Sequence, residues 1–483
     1  MRTLHVLAMT GALGLAVAAF GVPALAQRGG PAAPAAPPPL APRELQTSIA
    51  DGFTMASVGD TIVAYPQSTN PDTGFQGVLK LIRDADVATA NYEGNIIDGR
   101  TFQGTGPGGF GGTPDVAADV KAMGFDLVAR SNNHAGEYGY EGLLETNSWL
   151  NKAGIVYAGS GEKYASARAA RFVSTPKGRV GMVATASSYA EATVATPGRG
   201  EWPGRGGQSA LHYTRMYMTP PALWSSVKSI RDAFPNGNGF YVPTTDTADS
   251  ITMLGERFKL AKDASKPYYS YQMNETDVRD LMAAVTEGKT RSDFMTFAIH
   301  AHQFADTKGG ERGPNLPDSE DLDTNSSIAD FLPVLAKRAI DSGADAFLGT
   351  GVHVLRGIEI YKGRPIFYGL GEFFRQMDVI GLSGMGGRGR GEDNSPPIKY
   401  ESIVAISRFE HGQLAEIRLH PLELTDDVRM AHRGIPRLAS PQTAQRILTR
   451  VQKLSQPLGT TVTIENNIGV IRPRPATTSS GGL

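Results

Sequence analysis

The chain alternates short apolar runs of strand length with segments of helical spacing, and several apolar runs end abruptly in polar residues. The clearest case is the run at residues 125–129, which is followed by Ser-Asn-Asn-His and then by helical spacing up to Leu150. This pattern predicts a buried strand that presents Asn133 and His134 at its carboxyl end, with a helix behind them. In α/β sheets, ligands bind at that edge. The alternative is a turn in which Asn133 supports a left-handed residue and His134 is merely exposed.

The same alternation recurs along most of the chain and predicts an α/β fold. Predicted strands cover residues 53–60, 87–94, 155–161, 171–173, 180–184, 294–299, 345–353, 357–361, 365–368, 403–409 and 414–419. Predicted helices cover residues 77–83, 114–123, 275–287, 327–342 and 441–454, and helical spacing also extends across residues 211–262. The Gly-rich residues 99–112 are predicted to form a loop.

The N-terminal segment of the chain predicts export. Residues 1–26 have the pattern of a secretory signal: Arg2, an apolar stretch and the small-residue cleavage site Ala-Leu-Ala. Residues 27–44 form a Pro/Ala-rich linker, and residues 472–483 are predicted to be a disordered tail. We therefore expect a periplasmic or extracellular protein, which an uncleaved signal would instead tether to the membrane.

The amino-acid composition excludes several kinds of site and partner. The chain has 483 residues and no cysteine, so disulfides, thiol catalysis and thiolate metal sites are excluded. Its 47 Lys and Arg residues against 48 Asp and Glu residues give a net charge of −1. A general nucleic-acid binder would be distinctly basic, and we therefore expect no nucleic-acid partner.

Polar side chains follow five of the predicted strands. These residues are Asp60, Glu93, Asn133, His134, His300, His302 and His353. A single histidine in such a place is usually structural, but strand ends in one sheet converge. Carboxylates, an amide oxygen and imidazoles together suit one or two divalent cations, among which Mn, Mg, Zn and Fe are not distinguished. Two such cations bridged by a carboxylate would activate water and neutralise charge on a phosphoryl or carbonyl centre.

The order of these segments resembles the CapA family of poly-γ-glutamate capsule synthesis proteins, which is related to calcineurin-like metallophosphatases. The likeness spans residues 54–471, and its most specific segments are NNHAGEYGYEGLLET and GADAFLGTGVHVLRGIEIYKGRPIFYGLGEF. It implies a layered α-β-β-α sandwich of the metallo-dependent phosphatase type over residues 45–425, with a central helical insertion at about 208–290. A C-terminal helix and closing segment would occupy residues 426–471.

The resemblance also implies roles for individual residues. The metal ligands would be Asp60, Glu93, Asn133, His300 and His353, and His134 would protonate a leaving group. Two imidazoles of the family's Gly-His-His-Pro-His are absent from Gly-Thr-Gly-Val-His, which ends at His353. The family's His-Trp-Gly-x-Glu and Leu-Gly-Asn-Phe are replaced here by sequences that contain His302 and Glu372, which could restore ligands. The alternative is a centre that has decayed to one metal or none.

Two functions follow from these observations. The first is an exported metal-dependent hydrolase that cuts a phosphoester or the amide bond of an anionic polymer. The second is a non-catalytic accessory factor that binds or exports such a polymer together with membrane-bound synthesis partners. In the second case the polyanion would meet the arginines of Gly-rich loops, namely Arg199, Arg205, Arg388 and Arg390.

Overall fold

Two large β-sheets carry the site, and the structure that shows them is a computed structural model. It describes residues 47–106, 108–233, 246–305, 328–376, 397–426 and 433–473, all of which belong to one unit, 37–483. The predicted signal at 1–26, the linker at 27–44 and all but the first two residues of the 472–483 tail lie outside the described residues, as do Arg388 and Arg390.

The larger sheet has ten strands within the described residues, in the order β23-β24-β21-β20-β1-β2-β5-β6, with β19 paired to β1 and β22 to β21. Its strands β1, β2, β5 and β6 are parallel, whereas β20 runs antiparallel to β1. The bounds are β1 Phe53–Ile62, β2 Val87–Tyr92, β5 Leu127–Ala129, β6 Val156–Ala158, β19 Glu372–Arg375, β20 Glu401–Glu410, β21 Gln413–Leu424, β22 Pro436–Leu438, β23 Thr463–Glu465 and β24 Ile468–Ile471.

The smaller sheet has six strands in the described part of the chain, in the order β17-β18-β16-β15-β9-β8. Strands β9, β15, β16 and β18 are parallel, so their carboxyl ends lie at one edge. The bounds are β8 Arg171–Thr175, β9 Gly178–Ala186, β15 Phe294–His300, β16 Ala346–Thr350, β17 Ile358–Tyr361 and β18 Arg364–Phe367. The predicted hairpin at 357–361 and 365–368 is confirmed as the antiparallel pair β17 and β18.

Helices and short ribbons connect these strands. The helices are α1 Thr73–Arg83, α2 Asp115–Met123, α3 Gly139–Lys152, α4 Tyr164–Arg168, α5 Pro221–Ala233, α6 Glu275–Lys289, α7 Phe331–Asp341 and α8 Pro441–Ser455. Two-residue strands form the ribbons β3 Asn95–Ile96 with β4 Gly111–Gly112, and β7 Ser160–Gly161 with β10 Gly207–Gln208. Among the described helices, none is both long and apolar enough to cross a membrane.

The central segment at about 208–290 differs from the helical insertion predicted for it. It holds a four-stranded sheet, in the order β12-β13-β11-β14, together with α5 and α6. Its strands are β11 Tyr213–Thr219, β12 Ser250–Met253, β13 Glu256–Leu260 and β14 Tyr268–Met273. The ring of Tyr217 contacts the rings of Phe258 and Tyr269, and the three residues come from three of these strands. Such cross-strand aromatic contacts stabilise a sheet, and they outweigh the helical spacing read from the sequence.

Buried clusters show why both sheets are rich in apolar residues. One cluster joins the two sheets through Phe53, Met55 and Val87 of the larger sheet and Val180, Phe294 and Leu348 of the smaller. A second packs α1, α2 and α3 on the larger sheet, and a third packs α6 and α7 on the smaller. Parallel strands buried on both faces read as continuous apolar runs. The mixed α/β class predicted from the sequence is confirmed.

Candidate metal centre

The predicted site residues come from strand ends of both large sheets. In the larger sheet, Asp60 lies near the end of β1, Glu93 directly follows β2, and Asn133 and His134 follow β5. In the smaller sheet, His300 is the last residue of β15, His302 comes two residues later, and His353 comes three residues after β16. The structure brings all seven of these side chains into one cluster, as the following distances show.

Asp60, Glu93 and His300 form the more deeply buried part of the cluster. One possible ligand atom from each lies within 4.8 Å of the other two, and all three residues are buried. His300 Nδ1 is 3.5 Å from Asp60 Oδ1, and His300 Nε2 is 3.8 Å from Glu93 Oε1. A single divalent cation would be in reach of all three groups.

Glu93 also belongs to a second group of three, with His302 and His353, whose possible ligand atoms again lie within 4.8 Å of one another. The two groups touch, because His302 Nε2 lies 2.9 Å from His300 Nε2. Asn133 Oδ1 is 2.8 Å from the same His300 nitrogen. Glu93 is therefore the residue that the two groups of possible ligands have in common.

Two buried atoms of the cluster lack a hydrogen bond. Glu93 Oε1 has no hydrogen-bond partner among the described residues, and neither has His353 Nδ1. His353 Nδ1 lies 3.0 Å from Glu372 Oε1 and 3.1 Å from Asp60 Oδ2, yet neither pair has hydrogen-bond geometry. A buried oxygen and a buried nitrogen without partners are costly unless something binds them. The residues present therefore fit a divalent cation.

The electrostatics of the cluster agree with that fit. Burial, together with the charges of Asp60 and Glu372, raises the pKa of Glu93 well above its usual value. Burial opposes ionisation of Asp60 as well, but the adjacent imidazoles of His300 and His353 hold its pKa well below the usual value. Burial, with His300 and His353 nearby, lowers the pKa of His302. Burial opposes protonation of His353, but the carboxylates of Glu372 and Asp60 raise its pKa. A bound cation would favour the ionised carboxylates and the neutral imidazoles, because metal ligands bind in those forms.

Glu372 points into the cluster, as the sequence comparison with the family allowed. Its two oxygens both accept from Arg375 Nη1, at 2.7 and 2.5 Å, and both residues are buried. Burial opposes ionisation of Glu372, yet Arg375 and His353 keep its pKa below the usual value. The sequence analysis missed Arg375, which has no apolar run or motif to mark it.

Further polar groups hold the ligands in place. Asn91 Nδ2 donates to Asp60 Oδ1 at 2.8 Å, and Asn132 Nδ2 donates to Asn91 Oδ1 at 3.2 Å. The backbone N–H of Gly351 donates to Asp60 Oδ2 at 3.0 Å. Such outer contacts fix the orientation of metal ligands. Neither Asn91 nor Asn132 was predicted from the sequence to have a role at the site.

His134 lies at the margin of the cluster with its ring fixed on two sides. Its Nδ1 is 2.7 Å from Glu137 Oε1, and its ring stacks on Phe110 at a centroid distance of 4.0 Å. Glu137 Oε2 in turn accepts from the backbone N–H of Phe110 at 2.5 Å. His134 Nε2 lies 3.5 Å from Glu93 Oε1, so the nitrogen opposite Glu137 faces the cluster. Glu137 was not predicted, although its position three residues after His134 is a readable signal.

The backbone around His353 and Asp60 is tightly constrained. His353 has a φ of 61°, in the left-handed region that is uncommon for a residue other than glycine. Such conformations persist where the surroundings enforce them, often at functional sites. Gly59 packs so closely against the backbone before β19 that an added Cβ would lie 1.8 Å from Gly371 O. Only glycine fits there.

Of the arginines predicted to meet a polyanion, two are described. Arg199 is exposed in its loop. Arg205 donates from Nε to Val194 O and from Nη2 to Glu191 O, at 2.9 and 3.0 Å. Its guanidinium therefore holds its own loop together.

Comparison with known proteins gives matches along most of the chain. The model of the family described as bacterial capsule synthesis protein PGA_cap matches residues 54–310 and 323–377. An uncharacterized protein of Sinorhizobium fredii, y4sH, is 38% identical over 458 residues, which cover 88% of this chain and 94% of that protein. All seven predicted site residues lie in the matched ranges.

More distant relatives have descriptive names. The capsule biosynthesis protein CapA of Bacillus anthracis is 20% identical over 329 residues, covering 66% of this chain and 59% of CapA. A probable polyglutamine synthesis accessory protein of Mycobacterium tuberculosis is 25% identical over 299 residues, covering 61% of this chain and 57% of that protein. The similarity to these two proteins therefore spans under two thirds of their lengths.

Proposed function

The chain belongs to the bacterial capsule synthesis protein family PGA_cap, and we propose that it is a metal-dependent hydrolase in the synthesis of an anionic capsule polymer. The bond cut would be a phosphoester or an amide. The CapA-family resemblance seen in the sequence is confirmed by the same matches. The hydrolytic activity is our own inference from the cluster.

One observation carries this proposal: two groups of possible ligand atoms overlap at the buried Glu93, whose Oε1 has no hydrogen bond among the described residues. The cation or cations would be held by Asp60, Glu93, Asn133, His300, His302 and His353, with Glu372 beside His353. A bound divalent cation supplies a Lewis acid that polarises the scissile group and lowers the pKa of water.

The chain's own residues would then position the substrate and move one proton. Glu137 holds Nδ1 of His134, and this leaves Nε2 directed at the cluster. As the scissile bond breaks, His134 Nε2–H would give its proton to the departing oxygen or nitrogen. The stacked ring of Phe110 keeps the imidazole in that orientation.

The proposal includes a fold type and a location. Two packed sheets with helices on their outer faces support a layered sandwich of the metallo-dependent phosphatase type. The signal-like residues 1–26 support export to the periplasm or beyond, where polymer synthesis partners in the membrane would be in reach.

Metal analysis and hydrolysis assays test the proposal directly. Purified protein is analysed for bound metal and assayed with p-nitrophenyl phosphate and with γ-glutamyl-p-nitroanilide, beside His134→Ala. The exposed His411, paired with Asp51, provides the control His411→Ala. Stoichiometric metal and activity lost only in His134→Ala support the hydrolase; metal-free, inert protein rejects it.

A second candidate is the non-catalytic accessory factor, favoured by the two imidazoles missing before His353. In that case a polyanion binds equally well before and after chelation, and His134→Ala has no effect on polymer production. Loss of production in His134→Ala, with normal protein levels, would exclude this candidate.

A further inference from the structure

A polar cavity lies beside the cluster of predicted site residues. It measures about 390 Å³ and is open to solvent. Its lining residues carry hydroxyl groups, one cation and one anion, namely Ser187, Ser188, Tyr189, Tyr213, Arg215 and Glu256. The first three follow strand β9 of the smaller sheet, and the others come from strands β11 and β13 of the inserted sheet.

Hydrogen bonds join the cavity wall to the segment that carries His302. The backbone N–H of His302 donates to Ser188 Oγ at 3.0 Å. The next residue, Gln303, donates from Nε2 to Ser188 Oγ and to the Tyr213 hydroxyl, both at 3.0 Å. Ser187 Oγ donates to Gln303 Oε1 at 2.6 Å. The segment that carries His302, a proposed metal ligand, therefore also supports the cavity wall. A ligand in the cavity would lie next to that segment.

Arg215 is the positively charged residue of the cavity. Two tyrosine rings and Glu256 fix the orientation of its guanidinium group. Its guanidinium carbon lies 5.1 Å from the ring centroid of Tyr217 and 5.5 Å from that of Tyr269. Nη2 donates to Glu256 Oε1 at 2.9 Å, and the Arg215 side chain as a whole is 39% exposed. Guanidinium groups bind carboxylates and phosphates through such in-plane N–H donors.

Resting on the function proposed above, we infer that this cavity is a carboxylate subsite, which holds a carboxylate group of the polymer next to the bond at the metal centre. A carboxylate suits it better than a phosphate because Glu256 offsets the single positive charge of Arg215. A singly charged group therefore meets less repulsion than a doubly charged one. The hydroxyl of Tyr189 offers a further donor around it.

Binding measured without metal separates this subsite from the proposed catalysis. The probe is a labelled γ-linked oligoglutamate, titrated in EDTA by fluorescence anisotropy, with a polyphosphate of matched charge as the second arm. The variants are Arg215→Gln and Glu256→Gln. The control is Arg257→Gln, because Arg257 follows Glu256 in strand β13 and so lies on the opposite face of the sheet.

We expect Arg215→Gln to weaken oligoglutamate binding about tenfold, since a charge-assisted hydrogen bond is lost. Glu256→Gln should tighten oligoglutamate binding, because a negative charge is removed from the cavity; misfolding cannot produce such a gain. Arg257→Gln should leave oligoglutamate binding unchanged. The subsite is wrong if the wild type does not bind oligoglutamate, if both arginine variants lose affinity equally, or if only polyphosphate binding responds. Absence of hydrolysis with these binding effects intact would reject the hydrolase and retain the subsite.

Discussion

Glu93 and His300 come from different sheets, and their side chains meet with Glu93 Oε1 3.8 Å from His300 Nε2. Both residues are fully buried, and the Glu93 oxygen has no hydrogen bond. Burial, together with the nearby carboxylates of Asp60 and Glu372, raises the pKa of Glu93. Among the described side chains, Arg375 lies beside Glu372, and the imidazoles of His300 and His353 lie beside Asp60.

The substitution Glu93→Gln should separate metal binding from folding. In metal-free protein it removes a carboxylate held against Asp60 and Glu372, so the unfolding temperature should stay the same or rise. Wild-type protein should gain about 2.7 kcal/mol in unfolding free energy at a metal concentration of 100 times Kd, and the variant much less. Thermal unfolding with EDTA and with Mn²⁺ or Zn²⁺ measures both effects.

The exposed Glu201→Gln is the matched control, and it should behave like the wild type in both conditions. An equal metal-induced gain in Glu93→Gln and wild type would show that Glu93 does not bind the cation.

Removal of the His134 imidazole should reduce turnover and leave metal binding intact. His134→Ala is expected to lower kcat about 10²–10⁴-fold, the usual range for a general acid. Steady-state kinetics on the substrate cut by the wild type, with metal content measured in parallel, test this. If the variant loses its metal together with its activity, His134 is a ligand and the proton-donor role is wrong.

Glu137 should act through His134 and not by itself. Glu137→Gln weakens the contact to Nδ1 but leaves the imidazole present, and we expect a smaller loss in kcat than in His134→Ala. In the double variant the Glu137 change should add almost nothing, because the two residues form one unit. Additive losses would contradict that coupling.

Stability should fall at acid pH because of His420 in strand β21. Burial, with Arg418 nearby, lowers the pKa of His420 to about 4. The unfolded chain binds this proton near pH 6.5, so between pH 6.5 and 4 the unfolded state holds more protons and folding weakens as pH falls. The loss from this residue should reach about 3 kcal/mol at pH 4 and vanish above pH 7.

Denaturant unfolding at pH 7.5 and pH 4.5 measures the effect. His420→Gln should be less sensitive to acid than the wild type, whereas the exposed His411→Gln should match it. Identical acid sensitivity of wild type and His420→Gln would contradict the prediction.

Gly59→Ala should be strongly destabilising for steric reasons alone. The new Cβ would lie 1.8 Å from Gly371 O, so the strand carrying Asp60 must move away from the segment before β19. We expect a loss of about 3 kcal/mol, at the upper end for an overpacked site. Gly99→Ala, where no atom lies within 4 Å of the new Cβ, is the control. Equal unfolding midpoints for the two variants would overturn this prediction.

Much of the site could be predicted because strand ends carry a strong local signal. The apolar run before Asn133 and the one that ends at His300 both form buried parallel strands. The seven polar residues after such runs do converge, since parallel strands in each sheet end at a common edge. Here a local pattern was enough to predict a tertiary arrangement.

The inserted sheet and the supporting contacts could not be predicted in the same way. Strand β11 is stabilised by rings from β13 and β14, which lie up to about fifty residues away in the chain, and its own spacing reads as helical. Arg375 contributes to the site by donating a hydrogen bond to Glu372. That contact depends on the directions in which the side chains of strand β19 point. Pairings between distant segments leave no pattern in either segment alone.

The possible ligand atoms are divided between the two sheets, with Asp60, Glu93 and Asn133 on one and His300, His302 and His353 on the other. Anything bound among them would join the sheets at this rim, in addition to the apolar contacts deeper between them. Cation binding and association of the two sheets are then thermodynamically linked. Binding would stabilise the contact between the sheets, and any strain that separates them must lower the affinity for the cation by the same free energy.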